Sequence, residues 1–339
     1  MNAQGINHTP PWLFRVASRP EVAGGHVRRC LSLSKALRRY ASSVFVLDRG
    51  GEPWLSELRQ LGFMAVIEGD EPTTKWGGSV LDGYDFDAKY AKQLSQRAAP
   101  LVVIDDFLSP YPGAHLAINS APGLKGSELN GVPALLGSRY ALVDKRFSNI
   151  PTTLRERVTQ ALITFGIRDG SNATCLALEA FAEGINNDTC PNIVVLLGKD
   201  APHLPMVHKV ALALHDRCKI IIDTDNMADL LQHTDLVVGA GGVSMLERMA
   251  VGVPSITVPV SDNQERAVFG ASQSGATLGT EKREHLTARK LGYYIKTLSS
   301  SLDDRREMSV RARSMVDGRG TARVADVMSR LSTCTQASH

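Results

Sequence analysis

Ten short apolar runs punctuate the chain. LFRVAS, SVFVLD, MAVIEG, LVVIDD and ALLG come first, then ALITFG, NIVVLLG, CKIIID, LVVGAG and SITVPV. Most are continuous rather than alternating, which predicts strands covered on both faces within a parallel sheet. Between them lie stretches such as HVRRCLSLSKALRRYA and SNATCLALEAFAEG, apolar at helical spacing and polar opposite. Such alternation predicts α/β architecture with doubly wound parallel sheets. The pattern runs once, pauses near DKRFSNIPTTLRERV and runs again. Two α/β domains are therefore expected, residues 1–150 and 151–339, with a helical tail from about Ser301 that could pack back across both.

Composition narrows the setting. Hydrophobic residues at 43% and charged residues at 22% are ordinary for a soluble globular chain. A formal charge of +3 gives no reason to expect nucleic acid or an anionic membrane as partner. Cys30, Cys175, Cys190, Cys218 and Cys334 are odd in number and never spaced C-x-x-C. That spacing argues against a disulfide framework or a zinc site and suits a reducing cytoplasm. The opening MNAQGINHTPPWLF lacks the apolar core of a signal peptide, and no later run has the length of a bilayer span. The expectation is a cytoplasmic protein without stable membrane insertion, of undetermined oligomeric state.

In doubly wound sheets, ligands gather where strand carboxyl ends meet helix N-termini, so two such domains would face each other across a cleft. Two loops at such ends carry chemistry. In VAGGHVRRCL, Gly24 and Gly25 permit close backbone approach, and His26 falls in the first turn of the next helix. The helix dipole there disfavours imidazolium, which suits a base, although a plain helix-start residue would look the same. In TDLVVGAGGVSMLERMAVGVPS, Gly239, Gly241 and Gly242 end a strand and open a helix whose unpaired N–H groups suit a diphosphate. Glu247 lies where it could accept ribose hydroxyls, or where Ser244 and Glu247 form a capping box. An earlier turn, TFGIRDGSNAT, offers Gly166, Asp169 and Gly170, with Asp169 more simply a turn or cap residue.

Other constellations weigh less. Asp85 with Asp87 and Asp223 with Asp225 match the short D-x-D pattern of cation-dependent transferases, which arises easily by chance. Asp105 and Asp106 close a strand and suit a polar network. His208 and His215 are read as solvated, DDRREMSVRARS as a solvated helix face, and no zinc spacing occurs among the nine histidines. Ser244 has no nucleophile elbow around it.

The ordered set FR…GGHVRRCL, LDGY, VVIDD, LLGSRYAL and GAGGVSMLERMAVGVPS…DNQ resembles the UDP-sugar hydrolases of pseudaminic acid biosynthesis. Those enzymes act on UDP-2,4-diacetamido-2,4,6-trideoxy-β-L-altropyranose. The likeness runs from about Leu13 to Gln264 and extends, more distantly, to the N-acetylglucosaminyltransferase that completes lipid II. It implies a GT-B-like fold of two Rossmann-like domains. It also implies that His26 activates water against the anomeric carbon, with Tyr84 and Arg15 near the sugar. Glu247 would hold the ribose, Gly241 and Gly242 the diphosphate, and Asn263 and Gln264 the sugar. The implied reaction is inverting hydrolysis that releases UDP and requires neither metal nor other cofactor. The alternatives are a glycosyltransferase on the same scaffold and a non-catalytic nucleotide-sugar binder. Four departures mark this chain: Ala17 replaces an aspartate, Gly83 a histidine, and Asp144 an arginine, while Ile167-Arg168 stand where small residues are usual.

Overall fold

The computed structural model describes residues 9–19, 22, 24–184, 190–224 and 226–336, with side chains to residue 332. Asp225 and the Cys334 side chain lie outside the described set. The chain forms two units. One comprises Met1–Ser120, Lys125–Leu142 and Gly320–His339, and the other Ala121–Leu124 and Val143–Arg319.

The first unit runs β1 (Trp12–Val16), α1 (Gly25–Leu37), β2 (Ser43–Leu47), α2 (Glu52–Gln60), β3 (Met64–Ile67) and β4 (Gly78–Asp82). It continues with α3 (Ala88–Arg97), β5 (Leu101–Ile104), β6 (Leu116–Asn119), β7 (Glu128–Leu129) and β8 (Val132–Leu136). The sheet order is β3-β2-β1-β4-β5-β6-β8-β7, parallel except for the β7–β8 hairpin. The continuous apolar runs have the expected cause. Trp12, Phe14 and Val16 pack with Val27, Cys30 and Leu33 of α1, while Leu13 packs with Ala91 and Leu94 of α3 on the other face.

The second unit runs β9 (Gln160–Thr164), α4 (Ala173–Gly184), β10 (Asn192–Leu197), α5 (Leu204–Ala211), β11 (Cys218–Ile222) and α6 (Met227–Gln232). Then come β12 (Leu236–Ala240), α7 (Val243–Val251), β13 (Ser255–Val258), α8 (Asp262–Gln273) and β14 (Leu278–Gly279). The helices α9 (Ala288–Ser300), α10 (Leu302–Met315) and α11 (Gly320–Gln336) complete the chain. Its sheet is parallel throughout, in the order β11-β10-β9-β12-β13-β14.

All ten expected strands are present, and β4, β6, β7 and β14 are additional. The division falls at Leu142/Val143 rather than at 150, and the expected tail splits. Leu291 and Ile295 of α9 and Met308 of α10 join the core of the second unit. The apolar face of α11, with Val324, Ala325 and Met328, instead joins the core around β1 and α1. Residues 320–339 thus belong with the first unit, not with 151–339. No helix among the described residues is long and apolar enough to cross a membrane.

In each sheet the first strand lies between the second and the fourth, so strand order reverses at β1/β4 and at β9/β12. The carboxyl ends at such reversals are where doubly wound sheets open a crevice for ligands.

Candidate functional site

At the first reversal, Val16, Asp82 and Ile104 lie in register at the ends of β1, β4 and β5. Gly24 precedes α1 in the left-handed region, at φ +73°, and a Cβ there would stand 2.5 Å from the Trp54 ring. The tight turn makes His26 the second residue of α1, 5% exposed, with its Nδ1 2.6 Å from Asp82 Oδ1. No side chain caps α1. His26 is therefore not a cap: its ring is held across the sheet end by a carboxylate.

Asp82 is fully buried and is held from its far side as well. Arg29, one turn along α1, donates to it through Nε at 2.7 Å and Nη2 at 2.6 Å. Burial opposes ionisation of Asp82, but Arg29 and then His26 outweigh it and hold the carboxyl well below the usual carboxylate range. The third Arg29 nitrogen, Nη1, donates to both oxygens of Asp106 at 2.9 Å. Asp106 in turn accepts from the Tyr84 hydroxyl at 2.5 Å. Burial and the neighbouring Asp106 push the Tyr84 phenol far up, so Tyr84 stays protonated and donates a hydrogen bond to Asp106 instead of acting as a base. Its ring meets the His26 ring edge-on at 4.6 Å and the half-exposed Phe107 at 5.0 Å. The strand end thus carries one connected chain, His26–Asp82–Arg29–Asp106–Tyr84. Asp105, the other half of the pair, accepts from Ser109 N–H at 2.9 Å and from Tyr111 Oη at 3.3 Å, fixing the loop that presents Phe107.

Arg15 is not brought to this network. It lies on the sheet face opposite α1, 3% exposed, bonded to Asp48 and Glu68 at 2.7 Å each and to Tyr90 Oη at 3.0 Å. With those partners it is a structural residue of the sheet. Two departures from the hydrolase pattern lie against each other: a Cβ at Gly83 would stand 2.6 Å from that of Ala17. Of the D-x-D pair, Asp85 bonds Arg19 and Asp87 caps α3 through Tyr90 N–H at 2.7 Å. No cluster of three or more His, Cys, Asp or Glu suited to a cation occurs among the described residues.

At the second reversal, Gly242 is the N-cap of α7 and no side chain caps that helix. The capping-box alternative for Ser244 and Glu247 fails, because the helix starts at Val243, ahead of Ser244. Ser244 instead accepts from Arg248 Nη1 at 3.3 Å, and Glu247 is half-buried in the second turn. Gln264 is committed to the backbone, its Oε1 accepting from Gly241 N–H at 3.0 Å and Val260 N–H at 3.1 Å. Asn263 accepts from Ser261 Oγ at 2.6 Å. Gln264 thus holds the glycine loop through its Oε1. Asp169 resolves as a cap: its carboxylate accepts from Ala173 and Thr174 N–H at 3.0 and 2.8 Å, closing the start of α4. Gly166, at φ +90°, supplies the turn before it. Sequence reasoning missed Arg248, 1% exposed behind the loop. Burial lowers its pKa to about 10, with Glu247 opposing the shift.

The chain has the GT-B fold of two doubly wound units. It superposes on Acinetobacter baumannii MurG with a TM-score of 0.65 at 15% identity, covering 95% of this chain and 100% of that one. For a UDP-glucosyltransferase from Polygonum tinctorium the TM-score is 0.66 at 12% identity, covering 96% and 99%. Residues 174–330 match the profile of the glycosyltransferase family 28 C-terminal domain. An uncharacterized protein of Methanocaldococcus jannaschii is 25% identical over 81% of this chain and 60% of its own length. The spore coat polysaccharide biosynthesis protein SpsG of Bacillus subtilis is 26% identical over 53% of this chain and 52% of its own. The chain thus spans well under two thirds of both curated relatives.

Proposed function

We propose that the protein moves a glycosyl group from a nucleotide sugar, a UDP-sugar in the first instance, to a hydroxyl oxygen, with His26 as general base. The observation that carries this reading is the 2.6 Å His26–Asp82 contact at the strand reversal of the first unit. Asp82 fixes the Nδ1–H tautomer, which leaves the Nε2 lone pair to accept a proton. The nucleophile's O–H proton passes to Nε2 as its oxygen bonds to the anomeric carbon and the bond from that carbon to the diphosphate breaks, with inversion. Asp82 stabilises the imidazolium that forms. Tyr84, whose hydroxyl proton is taken by Asp106 and whose oxygen can accept from a sugar hydroxyl, positions the sugar beside the ring. The diphosphate charge develops at the uncapped start of α7 in the second unit, whose free N–H groups favour an anion. Glu247 holds the ribose hydroxyls, and Gly241 and Gly242 allow the diphosphate to approach the backbone. The Polygonum tinctorium relative is a UDP-glucosyltransferase and SpsG a polysaccharide biosynthesis protein, which supports transfer to an acceptor over hydrolysis.

A second reading has water as the nucleophile and releases a free amino-deoxy sugar. The GGHVRRCL segment and the 5% exposure of His26, a small target for a bulky acceptor, favour it. UDP release is to be followed from a UDP-sugar panel that includes the 2,4-diacetamido-trideoxy sugar, with and without sugar acceptors. Release only with acceptor identifies the transferase, and release without one identifies the hydrolase. In either case His26→Ala lowers turnover by about 10²–10⁴-fold. Tight binding without turnover across the whole panel would contradict both and leave a binding protein.

A further inference from the structure

Three guanidinium groups at the second strand reversal have no carboxylate within ion-pairing distance. Arg248, 1% exposed, donates Nη2 to the Ala240 carbonyl at 2.9 Å and to Thr257 Oγ1 at 3.1 Å, and its buried Nε has no partner. A Cβ at Gly239 would stand 2.6 Å from the Thr164 carbonyl oxygen and 3.0 Å from Arg248 Nη1. The guanidinium therefore lies against the seam of β9 and β12, directly behind the glycine loop. Arg283 bonds through its N–H to the Pro259 carbonyl, just past β13, and through Nη2 to the Asn172 carbonyl at 3.3 Å. Its Nε is also buried and unpartnered. Arg168, half-buried on the turn after β9, has no hydrogen-bond or ion-pair partner among the described residues.

Three of the nearby carboxylates are already committed, while Glu247, next to Arg248 on α7, favours its charge without outweighing burial. Lys282 takes Asp262 at 2.6 Å and Glu265 at 2.9 Å, and Asp169 closes the start of α4. Keeping a buried cation without a counter-ion is costly, and an anion that arrives with the ligand removes that cost. α7 opens at Val243, just past the end of β12 at Ala240, so its first-turn N–H groups lie at the carboxyl end of that strand.

We propose that Arg168, Arg248 and Arg283 are the counter-charge for the ligand's diphosphate. Arg168 contacts it directly, while Arg248 and Arg283 act as positioning residues through the loops they hold. This rests on the nucleotide-sugar reading above and adds to it the residues that read the phosphate. Arg168 also stands where the hydrolase-like pattern carries a small residue, so the contact is a feature of this chain.

Calorimetric titration of the full chain with UDP, UMP and uridine tests the assignment. Arg168→Ala is expected to weaken UDP about tenfold and uridine less than about twofold, the loss expected of one charge-assisted contact. Arg248→Met is expected to weaken UDP more strongly, and Arg248→Lys, which keeps the charge, to recover part of the loss. Should Arg248→Met fail to fold, Arg168→Ala and Arg248→Lys still decide the matter. Equal losses for UDP and uridine, or UDP binding unchanged in Arg168→Ala and Arg283→Ala, would overturn the arginine assignment alone. A native protein that binds none of the three ligands would overturn the nucleotide-sugar reading itself.

Discussion

The two strand reversals share a topology and differ in how they treat charge. At β1/β4 the Arg29 guanidinium is paired inside the fold with two carboxylates, Asp106 and Asp82, and Asp82 also holds the His26 ring. At β9/β12 the carboxylates serve the scaffold and Arg248 lies buried with only carbonyl and hydroxyl acceptors. A closed network fixes a ring and a proton, which a general base requires. A buried cation without a carboxylate partner suits an anionic ligand, which in the proposed reaction is the diphosphate. In the proposed reaction, one scaffold used twice would separate orientation of the attack from binding of the leaving group.

The sharpest way to break this contrast is to remove one arginine from each site. Arg29→Met leaves Asp82 buried and short of its main partner, so unfolding in urea is expected to show a loss of about 3–5 kcal/mol. Arg168→Ala, which has no partner to strand, is expected to stay within about 0.5 kcal/mol of the native protein. Equal losses would mean that the two sites are not different in kind.

Acidification probes the closed network next. The Asp82 pKa is depressed in the folded protein, with burial opposing and Arg29 and His26 responsible. Its contribution is therefore fully present above the unfolded carboxylate value of about 3.9 and is lost as pH falls through the lower folded value. Asp82→Asn is expected to flatten the acid limb of stability against pH, and an unchanged limb would contradict the pairing. The smallest effect separates cap from ligand at Asp169. Asp169→Ala is expected to cost about 1 kcal/mol in thermal unfolding and to leave UDP affinity unchanged. A selective loss of UDP affinity would restore Asp169 as a nucleotide contact.

Much of this was legible in the chain. The long apolar strands announced two doubly wound sheets, and the glycine turns announced where each opens. The decisive partner was not legible. Asp82 ends β4, whose GSVLD begins with glycine and serine and has only two apolar residues, too short a signal beside runs such as NIVVLL. Position along the strand hid the fate of Arg15, because alternation turns its side chain away from α1 and onto Asp48 and Glu68. The Ser244–Glu247 spacing suggested a capping box that a two-residue shift in the helix start removes. The amphipathic face of α11 was visible, but a helical stripe does not say which sheet covers it.

At the first reversal everything turns on which nitrogen of His26 carries the proton. The ¹⁵N spectrum of histidine-labelled protein, with His26 assigned by comparison with His26→Ala, reads this directly for the neutral ring. The Nδ1–H tautomer is expected in the native protein and its loss in Asp82→Asn. A native His26 protonated on Nε2 would leave no lone pair to receive the nucleophile's proton, and would contradict its role as the base.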